Sequence, residues 1–210
     1  MKIAFLHTSK SHIKRFNEII NEIDHKIEIH HHVDEGLLES ALKDQRIDVE
    51  GFKTELRKLK SIGIDHIICT CSTYGEICDE NENVYRIDRP IAEYIISNFT
   101  RIGIAYTVQA TIDGSKKLIE KLAFKTGKSV KLFEINCEHC WDYFKQRDMQ
   151  EYEYEIAETI KNYTNKCEIV FLAQASMEGA KKYLVGVDYK VVSSPKYGVE
   201  KFLKSWNKNV

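Results

Sequence analysis

The sequence predicts an α/β protein made of two similar parallel-sheet βαβ halves, related by a pseudo-twofold, with a ligand cleft between them. Three observations carry this. Short β-rich runs alternate with longer helical ones along the whole chain. The pattern starts over near residue 101. Only 10 Gly and 2 Pro interrupt the 210 residues, so loops are short and each proline marks a boundary.

The opening segment Lys2–His7 reads as a buried strand, and Ser11–Ile23 as an amphipathic helix with Ile13, Phe16, Ile19, Ile20 and Ile23 at helical spacing. Lys26–Val33 is a second strand. Leu37–Leu42 and Val49–Leu59 are helical, the latter ending near Gly63. Ile64–Thr70 is an apolar strand that runs into a helix start at Ser72-Thr73. Asn83–Ile87 is a short strand, and Asp88-Arg89-Pro90 opens a helix over Ile91–Phe99.

Arg101–Tyr106 then repeats the opening strand. Thr111–Leu122 is a helix, Val130–Ile135 a strand, Tyr152–Tyr163 a helix and Glu168–Ala173 a buried strand. Ser176–Tyr183 is helical, Tyr189–Val192 a strand, and Ser194-Pro195 opens a last helix through Trp206. Three anchors recur in one order: Phe5-Leu6-His7-Thr8 with Ile104-Ala105-Tyr106-Thr107, Cys71 with Gln174, and Pro90 with Pro195. The expected halves are 1–98 and 99–194, with the C-terminal helix 195–210 packing back on the first. Ligands of open parallel sheets bind at the carboxyl ends of the strands.

Composition narrows the function. With 31 basic and 32 acidic residues, the net charge is −1, and no cationic field exists to draw nucleic acid. Hydrophobic residues at 43% and charged residues at 30% suit a chain that buries a core. No apolar run approaches the roughly 18–20 residues of a membrane span, and no signal-peptide pattern opens the chain. The six cysteines match no compact secreted disulfide framework, so free thiols in a reducing cytoplasm are expected.

Ile67-Ile68-Cys69-Thr70-Cys71-Ser72-Thr73-Tyr74-Gly75 is the most informative segment. A strand delivers Cys71 to its carboxyl end, where the unpaired N–H groups of the following turn favour thiolate and bind anions. The competing reading is a core cysteine beside an ordinary Ser/Thr cap. Hydroxyls recur at matching positions of both halves: Thr8 and Ser9 after the first strand, Thr107 and Thr111 after its repeat, and Ser72, Thr73 and Ser176 at the later helix starts. Each alone is an ordinary cap or turn former; their recurrence at equivalent positions is what favours a site.

Strand–Cys71-Ser72-Thr73, the strand–Thr opening of each half and the duplication resemble the aspartate/glutamate/hydantoin racemase superfamily, which includes maleate isomerase and arylmalonate decarboxylase. His7-Thr8-Ser9, His31-His32-Val33-Asp34-Glu35, Arg86-Ile87-Asp88-Arg89-Pro90, Leu172-Ala173-Gln174-Ala175-Ser176-Met177 and Ser194-Pro195 are similar to a less characterised branch of it. The resemblance implies a homodimer or higher homo-oligomer that works without PLP or any other cofactor. It also implies catalysis by one cysteine per half on either face of the substrate Cα. It places the first on Cys71 and the anchoring of a small carboxylate on Thr8, Ser9, Ser72, Thr73, Thr107, Thr111 and Ser176, whereas the second cysteine position carries Gln174, followed by Ala175 and Ser176. An amide cannot abstract a proton, so two-base racemisation is not expected. One thiol still suffices to protonate an enediolate after decarboxylation, to add to an alkene or to work opposite a non-thiol partner, with Gln174 orienting a carboxylate or oxyanion. The alternative is a non-catalytic protein that senses a carboxylate metabolite.

Other clusters carry weaker signals. Cys137-Glu138-His139-Cys140 is a lone CxxC, short of the second pair that structural zinc normally uses, so no metal is expected. His30-His31-His32 alternates faces on a strand and reads as structural, with His31 or His32 the closest to the cleft. Asp148–Glu158, with its acidic residues interleaved by tyrosines, reads as a solvated helix entry, and the lysines from Lys201 to Lys208 as the exposed face of the last helix.

Overall fold

The computed structural model describes residues 2–23, 29–44, 47–163 and 166–207. Lys26, Ile27 and Glu28 of the expected second strand, and Lys208 of the lysine tail, lie outside the described residues. The chain divides into two compact units, Met1–Arg89 with Pro195–Val210, and Pro90–Ser194.

In the first unit, β1 (Ile3–His7) lies between β2 (Ile29–Val33) and β3 (His66–Cys69), and β4 (Val84–Arg86) completes a sheet ordered β2-β1-β3-β4. Every pairing is parallel, with Phe5 opposite both His31 and Ile68. Every residue of β1 is buried, as a strand covered on both faces requires. On one face, α1 (Ser11–Ile23) lays down His12, Phe16, Ile19 and Ile20, with the Phe16 ring 4.9 Å from that of Phe5. On the other, Ala4, Leu6, Ile67 and Cys69 meet Phe52, Leu56 and Leu59 of α3 (Val49–Ser61) and Leu37 of α2 (Glu35–Asp44). Gly63 turns the chain out of α3 with φ +81°, a conformation open to glycine at little cost.

α9 (Pro195–Asn207) closes this unit. Its Phe202 and Trp206 rings lie 5.2 and 5.5 Å from Tyr85, Trp206 stacks on His66 at 4.8 Å, and Lys196 pairs with Glu22 of α1 at 2.7 Å.

The second unit repeats the plan. β5 (Arg101–Tyr106), β6 (Lys131–Asn136), β7 (Ile169–Leu172) and β8 (Lys190–Ser193) form a parallel sheet ordered β6-β5-β7-β8. The likeness extends to single bonds. Thr70 N–H donates to Leu6 O, and Ala173 N–H to Ala105 O, each at 3.0 Å. Asp34 N–H donates to His7 O, and Cys137 N–H to Tyr106 O. These matches make Cys71 and Gln174 topological equivalents, and α/β halves of one design are what the periodicity predicts.

α5 (Arg89–Asn98) counts with this second unit from Pro90 onward, although the sequence places it at the end of the first half. Lys128 binds the carbonyls of Ile96 and Ser97 at its C-terminal end, and Tyr94 bonds Lys190 of β8. α6 (Gln109–Lys125) buries Ile112, Leu118, Ile119 and Leu122.

α8 (Met149–Tyr163) follows a short α7 (Trp141–Lys145) and packs Tyr152, Ile156, Ala157 and Ile160 against Ala105, Val170 and Leu172. The solvated reading of this helix entry is therefore corrected. Tyr152 is fully buried, and Glu153 is buried with its carboxylate on Lys182 at 2.7 Å. The i, i+4 spacing of Tyr152, Ile156 and Ile160 places them on one inward stripe, which outweighs the acidic residues between them. The helix expected over Ser176–Tyr183 is a 3-10 helix, Ala175–Tyr183. Among the described residues, no helix is long and apolar enough to cross a membrane.

Candidate functional site

In the first unit, the carboxyl ends of β1 and β3 bring Thr8, Thr70, Cys71, Ser72 and Thr73 together. Cys71 caps a single 3-10 turn, Ser72–Tyr74, which leads into α4 (Gly75–Asp79). Its side chain is half-buried and hydrogen-bonded to the side chains of Thr8 and Thr73 and to the Thr73 backbone. Thr8, Ser72 and Thr73 are buried. The Ser9 hydroxyl bonds Ser11 at 2.9 Å and receives the Ser11 N–H at the start of α1.

The thiolate expectation is corrected. Burial, with the neighbouring Cys69 adding to it, pushes the Cys71 thiol up to about 11, and the bonds from Thr8 and Thr73 only partly oppose this. A 3-10 turn of three residues carries too few aligned peptides to supply a strong terminal dipole. Cys71 at neutral pH is a protonated thiol, a proton donor rather than a base. Cys69 bonds Cys71 O at 3.5 Å, and Cys78 bonds Tyr74 O at 3.3 Å.

The turn is seated from beneath. Tyr74 is fully buried, stacks on Phe52 at 4.9 Å and donates its hydroxyl to Leu37 O at 2.7 Å. A side chain at Gly75 would run into the Arg86 guanidinium. Arg86, 2% exposed, grips the fully buried Asp88 with two bonds of 2.7 and 2.9 Å. Asp88 precedes α5 as expected, with its carboxylate turned to this partner.

Behind β1 runs a chain of histidines that spacing alone does not reveal. His7 Nδ1 lies 2.9 Å from Thr70 Oγ1, His7 Nε2 lies 2.9 Å from His31 Nδ1, and His31 Nε2 lies 2.8 Å from Asn17 Oδ1. His12 Nδ1 approaches the same Thr70 hydroxyl at 3.4 Å. Burial holds His12 at about 4 and His7 lower still, with nearby charge on His12, His31 and His32 adding to the effect on His7. His32 is held separately by Glu55 at 2.6 Å. His31 and His32 thus both have partners, as a structural reading requires.

In the second unit, the equivalent carboxyl edge gathers Thr107, Gln174, Ala175 and Ser176. Gln174 Oε1 accepts from Thr107 N–H at 2.7 Å and from Thr107 Oγ–H at 3.0 Å. Tyr152 OH lies 3.2 Å from Thr107 Oγ1 and 2.9 Å from Ser176 Oγ. Ala175 and Thr111 are buried, Thr111 closing the first turn of α6 through its N–H to Val108 O. Tyr152 is the residue sequence reasoning missed, although its helical spacing from Ile156 carries the signal. Cys137 and Cys140 are buried free thiols within the core, and among the described residues no three His, Cys, Asp or Glu are placed to hold a metal ion.

No protein-family model matches the chain, and no curated protein matches it by sequence. Solved structures do. The aspartate racemase of Picrophilus torridus aligns with 99% of this chain and 95% of its own at 18% identity and a TM-score of 0.76. The glutamate racemase of Francisella tularensis, solved with D-glutamate, aligns with 99% of this chain and 81% of its own at 13% identity and 0.75. The allantoin racemase of Klebsiella pneumoniae aligns with 100% of this chain and 89% of its own at 15% identity and 0.65. Two parallel sheets of matching order thus have solved counterparts over nearly the whole chain: the protein has the fold of these aspartate, glutamate and allantoin racemases.

Proposed function

We propose that this protein is a cofactor-independent enzyme of the racemase type that acts on a small carboxylate through Cys71, and that it works from one side only. The observation that carries the reading is the pairing of opposites at equivalent positions: a protonated thiol at Cys71 and an amide at Gln174. At neutral pH a thiol titrating near 11 is about one part in ten thousand thiolate. It is suited to giving a proton to a carbanion and poorly suited to taking one from an unactivated carbon. Gln174 has no proton-accepting nitrogen.

A malonate-type substrate fits this asymmetry. Loss of carbon dioxide leaves the bonding pair on the α-carbon as an enediolate. The Cys71 S–H proton then forms the new C–H bond, and water returns a proton to the thiolate. Thr8, Ser9, Ser72 and Thr73 in the first unit, and Thr107, Thr111, Gln174, Ala175 and Ser176 in the second, are the proposed carboxylate-binding residues. Free thiols suit a reducing compartment, and a homo-oligomer is expected by likeness to the family.

The test is a panel of malonates, dicarboxylates and amino acids followed by optical rotation and mass spectrometry in deuterium oxide, with Cys71→Ser alongside. Turnover that Cys71→Ser leaves intact removes Cys71 from the reaction. Rapid deuterium incorporation at the Cα of aspartate or glutamate by the wild-type protein overturns the one-sided reading. A second reading, a non-catalytic carboxylate sensor, is favoured by Gln174 in place of a thiol. Thermal stabilisation by a panel member without any product supports that reading instead.

A further inference from the structure

Gln174 is held in one orientation by a one-way chain of hydroxyls. Its Oε1 receives both the N–H and the O–H of Thr107. An amide nitrogen could not stand in that place, because a backbone N–H needs a lone pair to donate to. The Thr107 hydroxyl has therefore committed its proton to Gln174. It must accept from its other neighbour, which makes Tyr152 the donor across the 3.2 Å contact. Tyr152, its proton used, accepts in turn from Ser176 across 2.9 Å. The polarity runs Ser176 to Tyr152 to Thr107 to Gln174, with no alternative satisfied arrangement.

The members of the chain below Gln174 are well anchored. Tyr152 is 0% exposed, Thr107 2% and Ser176 5%, and Tyr152 packs on Phe144 with ring centres 5.3 Å apart. At the open end, Gln174 is only partly buried, and with Oε1 taken by Thr107 its Nε2 presents two N–H groups. A donor pair fixed in this way favours an oxygen bearing no proton, and repels an ammonium group, whose hydrogens would meet its own.

We propose that Tyr152 is a positioning residue which, through Thr107, holds Gln174 as a fixed two-hydrogen donor that selects a carboxylate or enolate oxygen at this point and rejects an amino group. This rests on the carboxylate reading above and adds to it the residue that enforces the choice.

The experiment uses the full chain labelled with 15N, in which the Gln174 side-chain amide signals are identified by their loss in Gln174→Ala. Malonate, succinate and L-aspartate are the probes. The Gln174 amide signals are expected to shift when a probe binds. Tyr152→Phe, which keeps the ring and its packing, is expected to move those signals in the ligand-free protein and to weaken binding about tenfold, the effect of one neutral hydrogen bond. Gln174→Glu, with the same shape and donors replaced by a charged acceptor, is expected to abolish binding.

Gln174 signals that stay in place in Tyr152→Phe overturn the positioning role whatever binds. A probe that binds without moving them, or that binds Gln174→Glu equally well, overturns the donor role while leaving the carboxylate reading standing. If no probe binds wild type while Tyr152→Phe still moves the amide, the carboxylate reading and the selection both fail and only the positioning stands.

Discussion

His7 and His31 are joined ring to ring, Nε2 to Nδ1 at 2.9 Å, with their planes within 11° of each other. The link needs one nitrogen bare and the other protonated. The ring that accepts is therefore neutral, while Asn17 Oδ1 lies on the far nitrogen of His31, and the Thr70 hydroxyl, which also reaches Leu6 O at 3.3 Å, lies on that of His7.

Acid should therefore loosen the first unit well before carboxylates titrate. His7 and His12 are held far below the ordinary value of 6.5, with His12 at about 4. The unfolded chain binds protons below 6.5 while the folded chain does not, so stability is full above 6.5 and falls as the pH drops below it. By pH 5 the loss is about 2 kcal/mol for each histidine. Urea unfolding at pH 7.5 and pH 5 measures it, and His12→Asn should roughly halve the difference. An unchanged pH slope in that variant would refute the assignment.

Cys71 should react as a thiol and not as a thiolate. Alkylation by iodoacetamide is expected to quicken about tenfold per pH unit from 7 to 10, with no plateau, and the phase should vanish in Cys71→Ala. A plateau near pH 8 would show a lowered thiol and return the residue to a base.

The Arg86–Asp88 pair should be indispensable to the fold beneath the Cys71 turn. Asp88→Asn leaves a buried guanidinium short of its main counter-charge, at a cost of about 3–5 kcal/mol. Gly75→Ala drives a methyl group into the same guanidinium and should destabilise in the same direction. Denaturant midpoints for both variants decide the matter, and losses near zero would mean that Asp79, 3.7 Å away, suffices alone.

Phe202 should matter to the first unit although it lies far along the chain. It is 8% exposed against Tyr85 and Trp206, and Phe202→Ala should cost about 3–5 kcal/mol. Hydrogen exchange resolved by segment should report the loss in β3 and β4 more strongly than in β5 and β7.

How far the sequence could be read depended on the range over which each signal acts. β1, β5 and β7 announce themselves because a buried parallel strand is apolar throughout, and Pro90 and Pro195 mark helix starts by their own backbone chemistry. The position of Cys71 follows from the same local logic, but its protonation state does not. That depends on Thr8 and on neighbours brought in from other segments. The His7–His31 link joins two strands and is invisible until their register is known. Tyr152 was obscured by the acidic residues around it, whose charge says little about the opposite face of the helix.

The placement of α9 has a consequence for biosynthesis. The second unit is one unbroken stretch of chain, whereas the first needs the last helix to cover His66 and Tyr85. A ribosome emitting this chain from its amino end releases every strand and helix of the second unit while the first still lacks one wall. Until translation passes Phe202 and Trp206, the nascent first unit shows an aromatic surface to its surroundings, and that interval is when chaperones would find it.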